Sequence, residues 1–180
     1  LTFPTTAPSA DKFLKTDSSG NLSFADAGGA NTPYFMGKKA DSNQVTTRNT
    51  LTVLTGFTSD EIDSDSAFDG ETFTVPSGKA GKYVFSCQIK HLFNDIGGDG
   101  ERFYARFRRT SSGVDTSWGL ADFEKASGYN INRASSSLTQ IIDLAVGDTV
   151  KCLAYNKDGN AGGNAKISSD SYFMGFKLIG

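Results

Sequence analysis

The sequence predicts an all-β domain, built as a two-sheet sandwich or jelly roll, and three observations predict it. Gly, Ser, Thr, Asn and Asp make up 83 of the 180 residues, and these residue types favour turns over helix interiors. The 14 phenylalanines and 6 tyrosines suit the half-buried surface of a sheet. Short apolar runs recur at regular intervals between turn signals, as the eight to ten strands of such a sandwich would.

The charge balance and the hydropathy exclude two classes of partner. Lys and Arg number 18 against 20 Asp and Glu, for a net charge of −2, so no basic excess indicates a nucleic-acid partner. No apolar run approaches the roughly 20 residues that a membrane helix needs, so we expect no membrane insertion. The chain starts without Met or a signal peptide, and we expect it to be a piece of a longer chain.

The first part of the chain differs from the rest. Apolar runs at residues 12–15 and 21–24 flank a Gly-containing turn, which predicts a short hairpin. Small residues at 25–30 then indicate a linker. A hairpin of this size buries too little to stand alone, so we expect it to pack on another surface, most simply on copies of itself. We divide the chain into a stalk segment with its linker, 1–30, and a head, 31–180.

In the head, apolar runs and turns alternate to the last residues. The predicted strands fall in residues 45–57, 72–75, 82–91, 102–109, 138–144, 149–155 and 171–179. Alternation of apolar and polar residues is clearest in 82–91 and 102–109. Residues 111–133 form a long polar stretch, which we interpret as an irregular loop.

The last strand is apolar on both sides. One face carries Tyr172, Met174, Phe176 and Leu178, and the other carries Phe173 and Gly175. A strand that is apolar on both sides is usually buried on both sides, whereas the outer face of a sandwich should be wet. A second subunit is the simplest cover for it, and the first 30 residues folding back are the alternative.

Three segments resemble the C1q/TNF-like jelly-roll family. They are residues 73–86 with the Gly-x-Tyr-x-Phe signature in GKYVFS, residues 138–150 with LAVGDTV, and residues 172–178, YFMGFKL. The resemblance implies a ten-stranded C1q/TNF-like jelly-roll sandwich, a compact homotrimer, and a binding module that is not an enzyme. In the core or the trimer contact we expect Phe73, Tyr83, Phe85, Phe173, Gly175 and Phe176.

The segment before the head has a resemblance of its own. Residues 1–5, LTFPT, and 13–24, FLKTDSSGNLSF, resemble a segment of bacteriophage tail fibres and related virion fibres, with Phe24 where that pattern usually has Trp. The resemblance implies a trimeric fibre head that binds a glycan or protein receptor on the bacterial host surface. Its location would be the distal fibre of a virion, assembled in the host cytoplasm. A structural trimerisation or capsid-attached fibre module and a secreted C1q-like adhesin are the alternatives.

Residues for catalysis are scarce. His91 is the only histidine, and its strand parity with Tyr83 and Phe85 favours a core position over a general base. No Gly-x-Ser-x-Gly motif occurs, so we expect no catalytic residue. Cys87 and Cys152 both lie in apolar strand patterns, which favours buried free thiols over a disulfide.

No specific motif indicates a cofactor or a metal. Residues 95–101 and the cluster of Asp60, Asp63, Asp65 and Asp69 offer the oxygen donors that calcium prefers, but we favour solvated loops for both. Zinc is disfavoured by a single His and two separated Cys. We therefore expect no cofactor, with calcium as an open alternative.

The best candidates for receptor contact are arginines and aromatic residues. In residues 102–109, arginines and a tyrosine alternate with Phe and Ala, and guanidinium groups recognise the carboxylates and phosphates of bacterial glycans. Exposed aromatic side chains often anchor interfaces. We predict a receptor-binding set of Arg102, Tyr104, Arg106, Arg108, Trp118 and Tyr129. A solvated face paired with Asp and Glu is the alternative for the arginines, and aromatic side chains tucked back under their loop are the alternative for Trp118 and Tyr129. The 95–100 loop is the alternative surface.

Overall fold

In the computed structural model, the chain folds mainly into β-strands. The described residues are 4–6, 12–26, 31–40, 44–58, 62–92, 102–124, 133–157 and 165–178. The strands in these ranges are β1 (Lys12–Thr16), β2 (Leu22–Asp26), β3 (Tyr34–Lys39), β4 (Gln44–Thr46), β5 (Thr50–Val53), β6 (Phe57–Thr58), β7 (Thr72–Thr74), β8 (Gly81–Leu92), β9 (Arg102–Ser111), β10 (Val114–Glu124), β11 (Arg133–Leu144), β12 (Thr149–Lys157), β13 (Ala165–Ile167) and β14 (Tyr172–Lys177).

Two antiparallel sheets form the head. The five-stranded sheet has the order β10-β9-β12-β5, and β7 also pairs with β12. The seven-stranded sheet has the order β4-β13-β8-β14-β3-β6, and β11 pairs with β8. Most of these neighbours are far apart in sequence, so the sheets are held by non-local pairing. The all-β, two-sheet prediction is confirmed.

Aromatic side chains from both sheets fill the core. Phe107 of β9 lies 6.1 Å from Phe85 and 5.7 Å from Phe173, ring centroid to ring centroid, and so joins the two sheets. A Cβ at Gly175 would come within 2.6 Å of the Phe85 ring, so this position leaves room for no side chain. The expected residues Phe73, Tyr83, Phe85 and Phe173 are all buried, whereas Phe176 is half-buried and points away from the core.

The predicted N-terminal hairpin is present as β1 and β2, which form a two-stranded sheet of their own. Asp17 closes the turn, because its carboxylate accepts hydrogen bonds from the backbone N–H of Ser19 and Asn21, both at 2.9 Å. Phe13 and Leu14 remain exposed on this hairpin. The described residues therefore leave the hairpin without a packed partner surface.

The prediction of an irregular loop over residues 111–133 is wrong for most of its length. Residues 114–124 lie in β10, at the edge of the five-stranded sheet, and pair with β9 over most of that length. The polar composition misled the interpretation because an edge strand keeps its outward positions in water. A bulge between Trp118 and Ala121 also breaks the alternation of inward and outward residues. Residues 125–132 lie outside the described part.

The predicted run at 45–57 is also divided, into β4, β5 and β6. Both cysteines are buried and free, as predicted, and burial raises the pKa of the Cys152 thiol. Within the described ranges, no helix has the length and apolar character needed to cross a membrane.

Candidate interaction surfaces

An apolar row crosses the outward side of the seven-stranded sheet. In the strand register, Phe176 of β14 lies between Tyr34 of β3 and Val84 of β8, and Val84 lies opposite Ile141 of β11. Alternation along a strand puts these four side chains on the side opposite Phe173 and the core. Tyr34 is 44% exposed and Ile141 is 58% exposed. Four neighbouring strands thus present one continuous apolar row.

A second row extends this surface. Met174 lies opposite Met36, which is 40% exposed, and on its other side lies Ser86, whose hydroxyl is 2.9 Å from that of Thr139. We call the two rows the apolar face, and its apolar members are Tyr34, Met36, Val84, Ile141, Met174 and Phe176.

Among the described residues, charged side chains occur only at the margins of the apolar face. Lys82 and Asp143 form an exposed pair at 3.5 Å beside the Val84–Ile141 row, and Lys90 pairs with Asp170 at the other end of β8. No described residue covers the apolar face. The alternative that the first 30 residues fold back over it is not seen in their described part, where β1 pairs with β2.

The outward side of the five-stranded sheet has a different composition. Tyr104 of β9 lies opposite Tyr155 of β12, and their rings stack with centroids 4.5 Å apart at 11°. Leu153 lies opposite Arg106 and is fully buried although it points outward. We call this surface the arginine–tyrosine face, formed by Arg102, Tyr104, Arg106, Arg108, Leu153 and Tyr155.

Carboxylates neutralise two of the three arginines on this face. The guanidinium of Arg102 holds Asp122 through Nε at 2.7 Å and Nη2 at 2.6 Å, and this contact raises the pKa of Arg102. Arg108 is 3.4 Å from Asp115 of β10. The interpretation as a solvated face paired with Asp and Glu therefore holds for Arg102 and Arg108.

Arg106 is held differently. Its Nε donates to the backbone carbonyl of Gly119 at 3.2 Å, and its guanidinium carbon lies 5.9 Å from the centre of the Tyr104 ring. Within the described ranges no carboxylate comes within ion-pair distance of Arg106. Arg106 is thus a fixed guanidinium whose charge the described residues do not neutralise.

Trp118 does not join the arginine–tyrosine face. It lies opposite Phe107 in the β9–β10 register and packs against the core, half-buried. Its indole N–H is buried and has no hydrogen-bond partner in the part of the chain that is described. The structure therefore separates Trp118 from the arginine–tyrosine face. Tyr129 lies outside the described residues.

His91 is a core residue, as predicted. It is fully buried beside Phe103, with Nε2 3.4 Å from the Ser136 hydroxyl. Burial lowers the pKa of His91 to about 4, so its imidazole is neutral at physiological pH. A group in this position is shielded from any substrate at the surface.

The acidic cluster serves the backbone of its own turns. Asp63 accepts hydrogen bonds from the N–H groups of Ala67 and Phe68 at 3.0 and 3.2 Å, and Asp69 accepts from two N–H groups in the same way. Asp60 and the 95–101 loop lie outside the described residues. In the described ranges, no three His, Cys, Asp or Glu side chains are grouped so that they could hold a metal ion.

Two features escaped the sequence reasoning. Tyr155 and Leu153 complete the arginine–tyrosine face, and the alternation of β12 with its buried Cys152 could have indicated them. Arg109, which is not one of the outward arginines of β9, binds the buried Asp148 at 2.7 Å. Burial opposes ionisation of Asp148, but hydrogen bonds, including those from Ala145 and Arg109, leave its pKa below the usual value.

Comparison with solved structures shows the fold. The chain is similar to murine APRIL at pH 5.0, with a TM-score of 0.58 and 11% identity over 81% of this chain and 98% of that one. It is also similar to Eiger TNF from S. frugiperda, at 0.58 and 14% over 81% and 93%. The globular domain of zebrafish complement 1qA gives 0.52 and 18% over 81% and 96%. In sequence, no protein-family model matches, and no curated protein is similar to the chain. The fold is the TNF/C1q jelly roll, as predicted.

Proposed function

We propose that this chain is the trimeric, non-enzymatic head of a bacteriophage fibre, which binds a receptor on the bacterial host surface. The observation that carries the proposal is the apolar face. Six apolar side chains lie together on an outward sheet surface, some of them 40–58% exposed, and a monomer gains nothing from keeping such a patch in water. Burial against other copies of the chain explains it.

We propose three copies because the head resembles the C1q/TNF family, and this resemblance implies a homotrimer. The fibre context rests on the resemblance of residues 1–24 to phage fibre segments. The hairpin of β1 and β2, with Phe13 and Leu14 exposed, fits a stalk in which copies of the hairpin pack on one another. Three identical heads would convert weak contacts into strong attachment, since avidity raises affinity by roughly 10²–10⁴.

A second candidate is a structural module whose task is trimerisation, with adhesion elsewhere on the virion. The apolar face supports this candidate equally, because self-association alone accounts for it. The two candidates differ in whether the isolated head binds cells.

Two measurements test the proposal in turn. Light scattering should give a mass of about three times 19.2 kDa, and a monomer at micromolar concentration would refute trimerisation. The fluorescently labelled trimer is then incubated with a panel of bacterial strains. Saturable labelling of some strains supports the receptor-binding head, and a stable trimer that labels none favours the structural module.

A further inference from the structure

We propose that Arg106 and Tyr104 form a binding site for the carboxylate of an acidic saccharide, such as a uronic acid, on the arginine–tyrosine face. This deepens the proposed function and rests on it for the biological setting, a glycan of the bacterial surface. The site itself is argued from the contacts of β9, β10 and β12.

First, Arg106 carries a positive charge that no described carboxylate balances. Arg102 and Arg108 flank Arg106 on the same strand face, and each is 2.6–3.4 Å from its own aspartate on β10. Arg106 has no such partner among the described residues, because the chain places the bulged Gly119 where an acidic residue would have to stand. An anion arriving at this face therefore meets one guanidinium that is not already neutralised.

The second step is the orientation of that guanidinium. Its Nε is occupied by the Gly119 carbonyl at 3.2 Å, which leaves the two terminal Nη groups for a ligand. A planar carboxylate accepts two parallel hydrogen bonds from such a pair of N–H donors. Glycine suits the bulge, since Gly119 has a left-handed φ of 66° and a Cβ there would lie 2.8 Å from the Leu138 side chain. The backbone carbonyl of this bulge therefore holds Arg106 before a ligand arrives.

The third step is the neighbouring ring. Tyr104 is fixed between Tyr155, at 4.5 Å, and the guanidinium groups of Arg102 and Arg106, at 5.4 and 5.9 Å. The Tyr155 hydroxyl is 3.5 Å from Asn49 Oδ1, whereas no described residue hydrogen-bonds to the Tyr104 hydroxyl. A phenol hydroxyl beside this guanidinium suits a ligand with further oxygen atoms close to its carboxylate, as the ring oxygen and the C4 oxygen of a uronic acid are.

The test is a binding titration of the intact trimer with tetragalacturonate at about 0.15 M salt, where long-range attraction is screened. The methyl ester of the same tetrasaccharide is the neutral probe, and a phosphorylated maltotetraose is the phosphate probe. We expect the uronate to bind at least about tenfold more tightly than the ester, since only an ionised group makes charge-assisted hydrogen bonds with Arg106. We expect it also to bind more tightly than the phosphate, because the carboxylates of Asp122 and Asp115 lie on either side of Arg106 and repel a doubly charged group most. Equal affinity for the ester, or tighter binding of the phosphate, would overturn the assignment.

Matched variants locate the site. Arg106→Met should weaken uronate binding at least about tenfold, and Arg108→Met, which removes an arginine already bound to Asp115, should weaken it less than about twofold. Tyr104→Phe should cost several-fold and Tyr155→Phe should have no effect. Arg106→Lys, which keeps the charge and loses the fork, should fall between parent and Arg106→Met, and it replaces Arg106→Met if that variant does not fold. Equal losses from Arg106→Met and Arg108→Met would mean diffuse attraction and sink the proposal.

The same variants separate this inference from the proposed function. If Arg106→Met trimers bind uronate as tightly as the parent and label host cells, the saccharide site is wrong and the fibre head stands. If uronate binding depends on Arg106 but no strain is labelled, the saccharide site stands and the proposed receptor-binding function fails.

Discussion

The two sheets of this sandwich share one core, yet their outward surfaces differ in kind. On the seven-stranded sheet, neighbouring strands place apolar side chains side by side, and the ion pairs lie only at the margins. On the five-stranded sheet, the outward positions of β9 carry arginines, and β10 supplies the aspartates that neutralise two of them. The chemical character of a sheet surface therefore depends on which side chains lie next to one another across neighbouring strands. It cannot be read from one strand alone.

If the apolar face is buried between copies of the chain, charged substitutions there should disrupt the trimer more than charged substitutions elsewhere on the surface. Met36→Asp combined with Ile141→Asp changes two residues that are 40% and 58% exposed, so the isolated head should still fold. A trimer would have to bury both charges, and we expect dissociation to monomers at micromolar concentration. Sedimentation measures the mass and circular dichroism checks the fold.

The control for this variant is Val114→Asp on β10, where the valine is 65% exposed and lies on the other sheet. We expect it to leave the trimer intact. Persistence of the trimer in the double variant, or its loss in the Val114 control, would move the interface away from the apolar face.

Two phenylalanines on opposite faces of β14 test which face of this strand packs in the core. Phe173→Ala empties a fully buried site among the core rings and should lower the free energy of unfolding by roughly 3–5 kcal/mol. Phe176→Ala, on the half-buried outward side, should cost the monomer only about 1 kcal/mol and act instead on self-association. Denaturant unfolding at fixed protein concentration compares them, and similar costs would contradict the assigned faces.

Acid should act on the core through His91. Its pKa is about 4 in the folded chain and near 6.5 when unfolded, so below pH 6.5 the unfolded chain takes up a proton that the folded chain refuses. The folded state should therefore lose about 3 kcal/mol between pH 6.5 and 4, and above pH 6.5 the group should have no effect. Unfolding free energies of the parent and His91→Gln at several pH values check this. A pH slope that is unchanged in His91→Gln would show that other groups cause the acid sensitivity.

The smallest effect is expected on the arginine–tyrosine face. Asp115→Ala removes the partially exposed partner of Arg108, at 3.4 Å, and exposed ion pairs contribute only about 0–1 kcal/mol. Thermal unfolding should change little, whereas uronate binding should rise slightly, because Arg108 then presents a free guanidinium. A loss of several kcal/mol would mean that the pair is structurally essential.

Sequence reasoning recovered much of the fold because its signals are local. Each of these signals lies within a dozen residues. The alternation in β8 and β9 identified the inner face of each strand, and the turn before β12 indicated a hairpin. The apolar residues on both sides of β14 indicated a strand but did not show which side faces the core. β10 was missed for the opposite reason. Its outward positions are polar, its alternation is broken by a bulge, and only pairing with β9 makes it a strand.

By itself the sequence determined the fold class and the inward side of β8 and β9, and it favoured a core position for His91 and free thiols at Cys87 and Cys152. These follow from side-chain period and composition, which are properties of short segments. Tertiary structure alone decided that Phe176 lies between Tyr34 and Val84, and that Arg106, of the three outward arginines of β9, has no carboxylate partner among the described residues. Both depend on register between strands distant in the chain, and register is set by the packing of the whole sandwich.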